Sequence, residues 1–378
     1  MQRLRVSPRA DWRTRVREHG FDFAEFADPE TGAPTPYWVE DACYEFSSAA
    51  IDRLESATNE LHAMCLDAVD EIVAQGDYAA FGLSEAEASL IERSHALKEP
   101  HLYGRMDLCF DGRNAPKLLE YNADTPTSLL ESSVVQWFWL EDRGESGFDQ
   151  FNSIHEALIA RWPHVIGPNP GMIHFATFQE SLEDHCNCEY LRDTCIQAGA
   201  TETIALDIGD IGFDRNCFTD LEHREITRIF KLYPWEWMLA EEFGTHLLTT
   251  RTRWIEPPWK RLLADKAILV WLWNKHRGHP NLLPASHRPG DLPGECVFKP
   301  CLEREGEGVC FLNSPDAVGH APTVRGMYQA SQRLPVFSGR HAVVGSWIIG
   351  DVAAGIGIRE DVGPITRNTS CFVPHRFR

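Results

Sequence analysis

The segment KLLEYNADTPTSLLES, residues 117–132, carries oxygen-bearing side chains at alternate positions. Glu120, Asn122 and Asp124 would share one face of a β-strand, because successive strand side chains point to opposite faces. A carboxylate, an amide and a second carboxylate form an oxygen-only donor set, which hard cations such as Mg²⁺ prefer. The alternation therefore indicates a metal site, and a solvated strand edge is the open alternative.

A second strand is predicted directly upstream, in HLYGRMDLCFDGRNAPKLLEYN. The turn sequence D-G-R-N between two β-prone runs predicts a hairpin that brings Arg105 and Asp107 alongside Glu120 and Asn122. Mg²⁺ takes few protein ligands and shares the rest with water and nucleotide phosphates, so these donors favour a nucleotide site. An ordinary ion pair between Arg105 and Asp107 is the alternative reading.

A lysine and a glycine-containing loop form a third feature, in VFKPCLEREGEGVCF. Lys299 ends a predicted strand, and residues 301–308 form a turn before the next apolar run. Such a hairpin can fold over phosphates, with backbone N–H groups and the lysine as anion donors. The chain has no G-x-x-x-x-G-K-[ST] sequence, so this is not a Walker loop, and a plain surface hairpin remains possible.

The remaining elements are predicted to be scaffold. Residues 41–76 resemble one long helix with an apolar stripe, formed by Ile51, Leu54, Leu61, Cys65, Val69 and Ile72. Residues 171–208 have the pattern of a βαβ unit, with a capping signal at Ser181. No glycine fingerprint accompanies this unit, so a dinucleotide site is not supported.

Composition bounds the class of protein. The chain has 378 residues, 43% hydrophobic content and a formal net charge of −20, which disfavours nucleic acid as a partner. We find no run of eighteen apolar residues and no secretory signal, so we expect no membrane partner and a cytoplasmic location. The eleven cysteines are odd in number and lack a C-x-x-C pair, which predicts reduced thiols. A metal at His185-Cys186-Asn187-Cys188 is a weak alternative, because neighbouring helical residues face different directions.

Several segments together resemble the glutathionylspermidine synthase family: GRMDLCFDG, KLLEYNADTPTS, EPPWK with ADKAILVWLW, VFKPCLEREGEGV and GIGIRED. The resemblance implies an α+β fold of the ATP-grasp type with a pre-ATP-grasp βαβ region. It also implies ATP and two Mg²⁺ ions as cofactors, used to activate a carboxylate as an acyl phosphate that an amine then attacks. Glu120 and Asn122 precede Lys266 and Lys299, which is similar to the permuted arrangement of these synthases.

The resemblance also implies a role for each matching residue. Asp107, Glu120 and Asn122 match magnesium ligands, and Arg105 and Arg359 match catalytic arginines. The positions that match ATP contacts are Lys266, Lys299, Arg304, Gly306, Gln329 and Gln332. Thr125, Thr127, Glu183 and Asp184 match substrate-binding positions, the last two as an acidic pair near the peptide and the polyamine.

Three positions depart from the family pattern. Leu232 replaces a peptide-contacting threonine, Glu305 replaces a cysteine of the flexible loop, and Val343 replaces an ATP-contacting glutamine. A missing hydrogen-bond partner for a buried polar group costs on the order of 1–3 kcal/mol. The sequence therefore predicts a ligase that joins a peptide or amino-acid carboxylate to an amine, yet uses glutathione and spermidine poorly.

The predicted organisation has four regions. These are a helical N-terminal scaffold (1–100), a metal- and substrate-binding hairpin region (101–170), a βαβ substrate region (171–255) and a nucleotide-binding region (256–378) with a lid at 301–308. The length predicts a synthetase domain without an amidase domain. The alternative function is an ATP-binding regulatory or interaction protein of the same fold; a protein kinase is disfavoured because H-R-D and D-F-G are absent.

Overall fold

The computed structural model describes residues 1–27, 32–312 and 324–378, and within them the chain forms nine α-helices and six β-sheets. The α-helices are α1 (Trp12–Glu18), α2 (Ser48–Gln75), α3 (Glu85–Ala96), α4 (Gln136–Glu141), α5 (Ile154–Ile166), α6 (Leu182–Gln197), α7 (Trp235–Ala240), α8 (Arg261–Ala264) and α9 (Ala267–Lys275). One π-helical turn, Glu131–Val135, leads into α4. Short 3₁₀ segments lie at Ala79–Phe81, Ile208–Asp210, Glu242–His246, Pro258–Lys260 and Pro289–Asp291.

The strands are short except for two. They are β1 (Gln2–Arg5), β2 (Glu25–Ala27), β3 (Pro34–Pro36), β4 (Ala42–Phe46), β5 (Tyr103–Cys109), β6 (Lys117–Asn122), β7 (Met172–Thr177), β8 (Glu202–Asp207), β9 (Gly212–Asp214), β10 (Cys217–Thr219), β11 (Arg228–Leu232), β12 (Arg253–Ile255), β13 (Ala285–Ser286), β14 (Cys296–Pro300), β15 (Cys310–Leu312), β16 (Gly326–Ala330), β17 (Val336–Phe337), β18 (Arg340–Ile349), β19 (Val352–Asp361), β20 (Cys371–Val373) and β21 (His375–Phe377). The mixture of helix and strand agrees with the prediction.

Two antiparallel sheets meet at the predicted chemical residues. The first has the order β20-β19-β18-β5-β6, with β17 also paired to β18. The second has the order β13-β16-β14-β15. Strand β6 lies at the end of the first sheet, and its backbone carbonyls accept hydrogen bonds from Lys299 and Gln329 of the second. A sheet edge with unpaired backbone groups thus becomes a joint between the sheets.

The predicted βαβ unit is confirmed. Strands β7 and β8 pair in parallel on either side of α6 in the sequence, and Ser181 caps this helix by accepting a hydrogen bond from the Asp184 backbone N–H. They belong to a parallel sheet with the order β12-β11-β7-β8. Its two central strands, β11 and β7, are buried at all but their first residue, whereas Leu206 is the one buried residue of the edge strand β8.

The long scaffold helix was predicted correctly only from Ser48 onward. All six residues of the predicted apolar stripe are buried in the largest core cluster, which also holds residues of β5, β6, β18 and β19. The predicted start was wrong: Ala42–Phe46 forms strand β4, paired with β1 and parallel to β21. All five β4 residues are buried, so the helical spacing of their apolar side chains was no guide.

Among its described residues, the N-terminal region contains four strands as well as its helices. The division into four functional regions stays a prediction. Within the described residues, no helix combines the length and the apolar character needed to cross a membrane.

Candidate active site

The predicted hairpin aligns the chemical residues across two strands. Asp107 of β5 pairs with Glu120 of β6, and Arg105 pairs with Asn122. The register shifts directly after Asp107, and such a bulge re-aims neighbouring side chains. The amide Nδ2 of Asn122 lies 3.3 Å from Asp107 Oδ2 and 3.2 Å from Glu120 Oε1. Two carboxylates and an amide are therefore gathered at one point of the sheet.

The predicted catalytic arginines approach this point from the same sheet. Arg105 donates from Nε to Asp107 Oδ1 at 2.7 Å and from Nη1 to the Thr127 carbonyl at 2.6 Å. Arg359, on β19, donates to the carbonyls of Asn368 and Ser370, while its buried Nε has no hydrogen-bond partner in the described residues. Both arginines line one cavity together with Asp107 and Glu120, so two cations face the paired carboxylates.

The two predicted lysines reach the carboxylates from the second sheet and from the start of α9. Lys299 donates from Nζ to the Leu119 carbonyl and to Gln329 Oε1, both at 2.8 Å. Lys266 donates to the Glu303 carbonyl at 2.7 Å, and its Nζ lies 3.2 Å from Glu120 Oε2. Glu120 is thus the point at which the two halves of the site meet.

Opposite charges at close range set the protonation states. Burial acts to raise the pKa of Glu120, but the ammonium groups of Lys266 and Lys299 outweigh it and hold the pKa at about 2. Burial lowers the pKa of Lys299 to about 8, against the opposing charge of Glu120. Burial likewise raises the pKa of Asp107, although Arg105 opposes the change. Glu120 is a carboxylate at any working pH.

The loop at 301–308 packs against the C-terminal part of the chain. Gly306 adopts φ +73°, which favours glycine, and a Cβ there would lie 2.5 Å from Ile365 Cγ2 and 2.7 Å from the Thr366 carbonyl oxygen. Glu305 also has a positive φ, of 54°. This close approach places the loop over the junction between the two sheets.

A narrow cleft of about 110 Å³ lies beneath this loop. Its lining includes Lys266, Lys299, Gln329 and Gln332, together with Val343. The Gln329 amide is fixed on both sides, since Oε1 accepts from Lys299 and Nε2 donates to the Leu118 carbonyl at 3.1 Å. The structure therefore brings together most of the predicted nucleotide contacts.

A larger cavity of about 580 Å³ opens on the other side of the carboxylates. Thr125, Thr127 and Asp184 line it, together with both arginines and all three predicted metal ligands. Burial, and then the charge of Glu183, raise the pKa of Asp184 to about 6. The predicted acid and amine contacts thus adjoin the predicted metal ligands.

Two predicted residues are placed differently from their neighbours in the sequence. Arg304, expected at the nucleotide, donates to Glu236 Oε1 at 2.7 Å and lies over the Trp237 ring in the larger cavity. Glu183 lines neither cavity, although its charge helps to raise the pKa of Asp184, which lines the larger one. The assignments of both side chains stay predictions.

Sequence reasoning missed the residues that support the site. Asp124 accepts hydrogen bonds from the Lys231 ammonium at 2.6 Å and the Trp235 backbone N–H at 2.9 Å. Asn187 Oδ1 accepts from the backbone N–H groups of Leu129 and Leu130, at 3.1 and 3.2 Å, which holds the chain just after Thr127. The alternation at 120–124 already marked Asp124 as unusual, but it did not indicate a supporting role. The buried amide of Asn187 gives the His185–Cys188 segment a structural role.

Comparison with known proteins decides the family. The family model described as "Glutathionylspermidine synthase preATP-grasp" matches residues 3–378. The chain belongs to the glutathionylspermidine synthase family. The predicted resemblance is confirmed, and membership of the glutathionylspermidine synthase family confirms that the chain is a carbon–nitrogen ligase.

Relatives within this family differ in length. A Haemophilus influenzae protein named "Putative acid--amine ligase" is 41% identical, with all of both chains covered. The Escherichia coli "Bifunctional glutathionylspermidine synthetase/amidase" is 24% identical over 88% of this chain and 58% of its own length. The "Trypanothione synthetase" of Crithidia fasciculata is 25% identical over 84% of this chain and 54% of its own length. The chain therefore spans little more than half of the latter two relatives.

Proposed function

We propose that the protein is an ATP-dependent ligase that joins the carboxylate of a peptide or amino acid to an amine through an acyl phosphate. The permuted ATP-grasp arrangement is part of this proposal. The observation that carries it is the position of Glu120, which lies 3.2 Å from Lys266 Nζ and beside both cavities. One cavity is lined by candidate nucleotide contacts and the other by candidate substrate contacts, so the carboxylates lie where a phosphoryl group would pass.

The residues present fit magnesium. Asp107, Glu120 and Asn122 offer carboxylate and amide oxygens, the donors that Mg²⁺ prefers, and Glu120 is ionised. We propose that they hold two Mg²⁺ ions together with the phosphates of ATP. Bound there, they would supply positive charge against the phosphate oxygens.

The chain's own cations carry the rest of the electrostatics. Lys266 and Lys299 line the nucleotide cleft, and Arg105 and Arg359 line the substrate cavity. In the first step a substrate carboxylate oxygen attacks the terminal phosphorus of ATP, and ADP leaves. In the second step the amine nitrogen attacks the acyl carbon, inorganic phosphate leaves and the nitrogen gives up a proton. Both steps gather negative charge on oxygen, which preorganised cations stabilise.

The acidic end of the substrate cavity suits the amine. Asp184 lines the cavity, and Glu183 is near enough to raise its pKa. We propose that Asp184 binds an ammonium group by a charge-assisted hydrogen bond before the nitrogen is deprotonated, and that the nearby charge of Glu183 strengthens the attraction. Thr125 and Thr127 also line this cavity, and we propose that they contact the acid component.

The decisive experiment measures ATP turnover with mixtures of amino acids, peptides and amines, followed by mass spectrometry of the product. We expect ADP and phosphate to form only when an acid and an amine are both present, with an amide of matching mass. Tight ATP binding without turnover or adduct across the screen would instead support a regulatory nucleotide-binding protein.

Glutathione with spermidine is expected to be a poor substrate pair. Leu232 and Glu305 both line the larger cavity. Leu232 offers no hydrogen bond to a polar substrate group, and Glu305 can repel a substrate carboxylate. We expect a specificity constant for glutathione below the usual enzyme range of roughly 10⁴ M⁻¹s⁻¹. Leu232→Thr combined with Glu305→Cys restores the family residues and should raise it. A value above that range in the unaltered protein would contradict this reading.

The pH dependence of ATP use is expected to follow Lys299. Its pKa in the free protein is about 8, so the ammonium is charged below that pH and neutral above it. We expect kcat/KM for ATP to fall as the pH rises through about 8, because the neutral amine no longer attracts phosphate. Lys299→Arg keeps the charge to higher pH and should lose this fall. The same alkaline fall in both proteins would assign it to another group.

Closure of the 301–308 loop is expected to require glycine at position 306. The Gly306→Ala methyl group would collide with Ile365 and Thr366, as well as strain the backbone. We expect kcat/KM to fall roughly tenfold to a hundredfold, since small displacements at a reacting centre are costly. Gly294→Ala is the matched control, with φ +76° and no atom within 4 Å of the added Cβ. Equal effects of the two substitutions would mean that backbone strain alone is responsible.

A further inference from the structure

A second cluster of potential ligands lies at the far end of the strands that carry the active site. His62 is on α2, His101 lies two residues before β5, and Asp351 is in the turn between β18 and β19. On β18 the partner of Asp107 is Gly345, whereas Ile349, next to this turn, pairs with Tyr103. Four residues of strand separate these positions, a distance of about 13 Å. The cluster is therefore distinct from the proposed magnesium site.

The ligand atoms of this cluster are spaced as a metal requires. His101 Nε2 lies 3.0 Å from Asp351 Oδ1, and His62 Nε2 lies 3.8 Å from the same oxygen. All three ligand atoms lie within 4.8 Å of one another. A tetrahedral Zn²⁺ ion with bonds of about 2.0–2.1 Å separates its ligand atoms by about 3.3 Å. The three groups need only small shifts to surround one ion.

We propose that His62, His101 and Asp351 bind a Zn²⁺ ion, with water in the fourth position. Imidazole nitrogens select zinc and similar divalent ions over Mg²⁺, so the magnesium of the active site would not compete effectively. The site joins α2, the segment before β5 and the β18–β19 turn. Its role is to fix the start of β5, the strand that carries Arg105 and Asp107.

The ring nitrogens of His62 are arranged for this role, whereas Nδ1 of His101 is buried with no hydrogen-bond partner among the described residues. His62 Nδ1 lies 3.1 Å from the Tyr121 hydroxyl oxygen and can donate a hydrogen bond to it. In that tautomer the lone pair of Nε2 is free to bind a metal. That Nε2 is buried and has no hydrogen-bond partner among the described residues. An outer hydrogen bond of this kind orients metal-binding histidines.

Neighbouring charges leave room for a cation. Arg161 Nη1 lies 3.6 Å from Asp351 Oδ2 and opposes binding, but the other carboxylate oxygen faces the histidines. Lys260, which also acts on both histidines, is paired with Glu256 at 2.7 Å. The Asp351 side chain is 59% exposed, so an ion can enter from solvent.

The test uses the full chain, stripped with a chelator and reloaded with Zn²⁺ at neutral pH. Bound zinc is counted by elemental mass spectrometry after desalting, and Tm is measured with and without the ion. Co²⁺ is added as a spectroscopic substitute, because a four-coordinate histidine site gives it intense visible absorption. Asp351→Asn is the main variant. Asp351 is exposed, so this substitution should not disturb folding, whereas His101→Ala would change a buried residue.

We expect one Zn²⁺ per chain, a rise in Tm and a roughly 10–100-fold or greater loss of affinity in Asp351→Asn. His95→Ala is the matched control, because His95 forms an ordinary surface pair with Asp70 at 2.7 Å and should keep full binding. Glu120→Gln should also keep it, which separates this site from the active site. Absence of stoichiometric zinc, or equal binding by Asp351→Asn and the unaltered protein, would overturn the proposal.

Discussion

Glu120→Gln is expected to abolish most of the stabilisation by Mg-ATP and to reduce ligase turnover by roughly 10²–10³-fold. Glutamine has nearly the same shape but no charge, so it can neither balance Lys266 nor serve as an anionic magnesium ligand. Ligand at a hundredfold excess over Kd stabilises the native state by about 2.7 kcal/mol, which a thermal melt detects. The measurement is Tm with and without Mg-ATP, together with steady-state ATP turnover.

The matched control is Glu295→Gln, which neutralises an exposed carboxylate beside β14 and away from both cavities. It should leave the ATP-induced rise in Tm unchanged. If Mg-ATP raises the Tm of Glu120→Gln fully and turnover is retained, Glu120 is not part of the proposed metal site. If Mg-ATP raises the Tm fully but turnover is lost, Glu120 acts in the chemical step rather than in nucleotide binding.

Local periodicity was sufficient to predict the hairpin. The D-G-R-N turn does fold as expected, because Asp111 Oδ1 accepts from the backbone N–H groups of Arg113 and Asn114, both at 2.8 Å. Strand alternation then places Glu120 and Asn122 on one face opposite Asp107, as the sequence indicated. These are contacts between near neighbours in the sequence, which turn and strand rules can reach.

Turn and strand rules could not predict which distant segments of the chain come together. The contacts of Lys266 and Lys299 with β6 join parts of the chain that are well separated, and only the family resemblance connected them. The His62, His101 and Asp351 cluster is also dispersed in the sequence, and no local motif marks it. Neither spacing nor composition could have located it, because its ligands come from a helix, a loop and a turn.

The alternation at 120–124 also combined two different roles. Strand β6 ends at Asn122, and Asp124 turns into the interior, where only 1% of its side chain is exposed. Glu120 and Asn122 face a cavity, whereas Asp124 meets Lys231 of the parallel sheet. The sequence alone cannot distinguish them, since a buried partner on a distant strand leaves no local trace.

Lys231→Met is expected to destabilise the protein by roughly 3–5 kcal/mol, the usual cost of an uncompensated buried charge. The Lys231 ammonium is 2.6 Å from Asp124 Oδ1, also donates to the Tyr233 carbonyl, and its side chain is fully buried. Burial lowers the pKa of Lys231, and Asp124 is the main group that opposes this. The free energy of unfolding is measured by denaturant titration, with the slope checked for two-state behaviour.

Adding Asp124→Asn to Lys231→Met should recover part of the lost stability, because the orphaned charge is removed while the hydrogen bond from the Trp235 N–H can persist. Arg13→Met is the control for an ion pair in solvent, since Arg13 and Glu25 lie at the surface, and it should change stability little. If Lys231→Met costs no more than this control, water reaches Asp124 and the pair does not anchor β6. If it costs what we expect, Asp124 anchors the chain between the proposed metal-binding strand and Thr125, and loss of stability should be accompanied by a raised KM for the acid substrate.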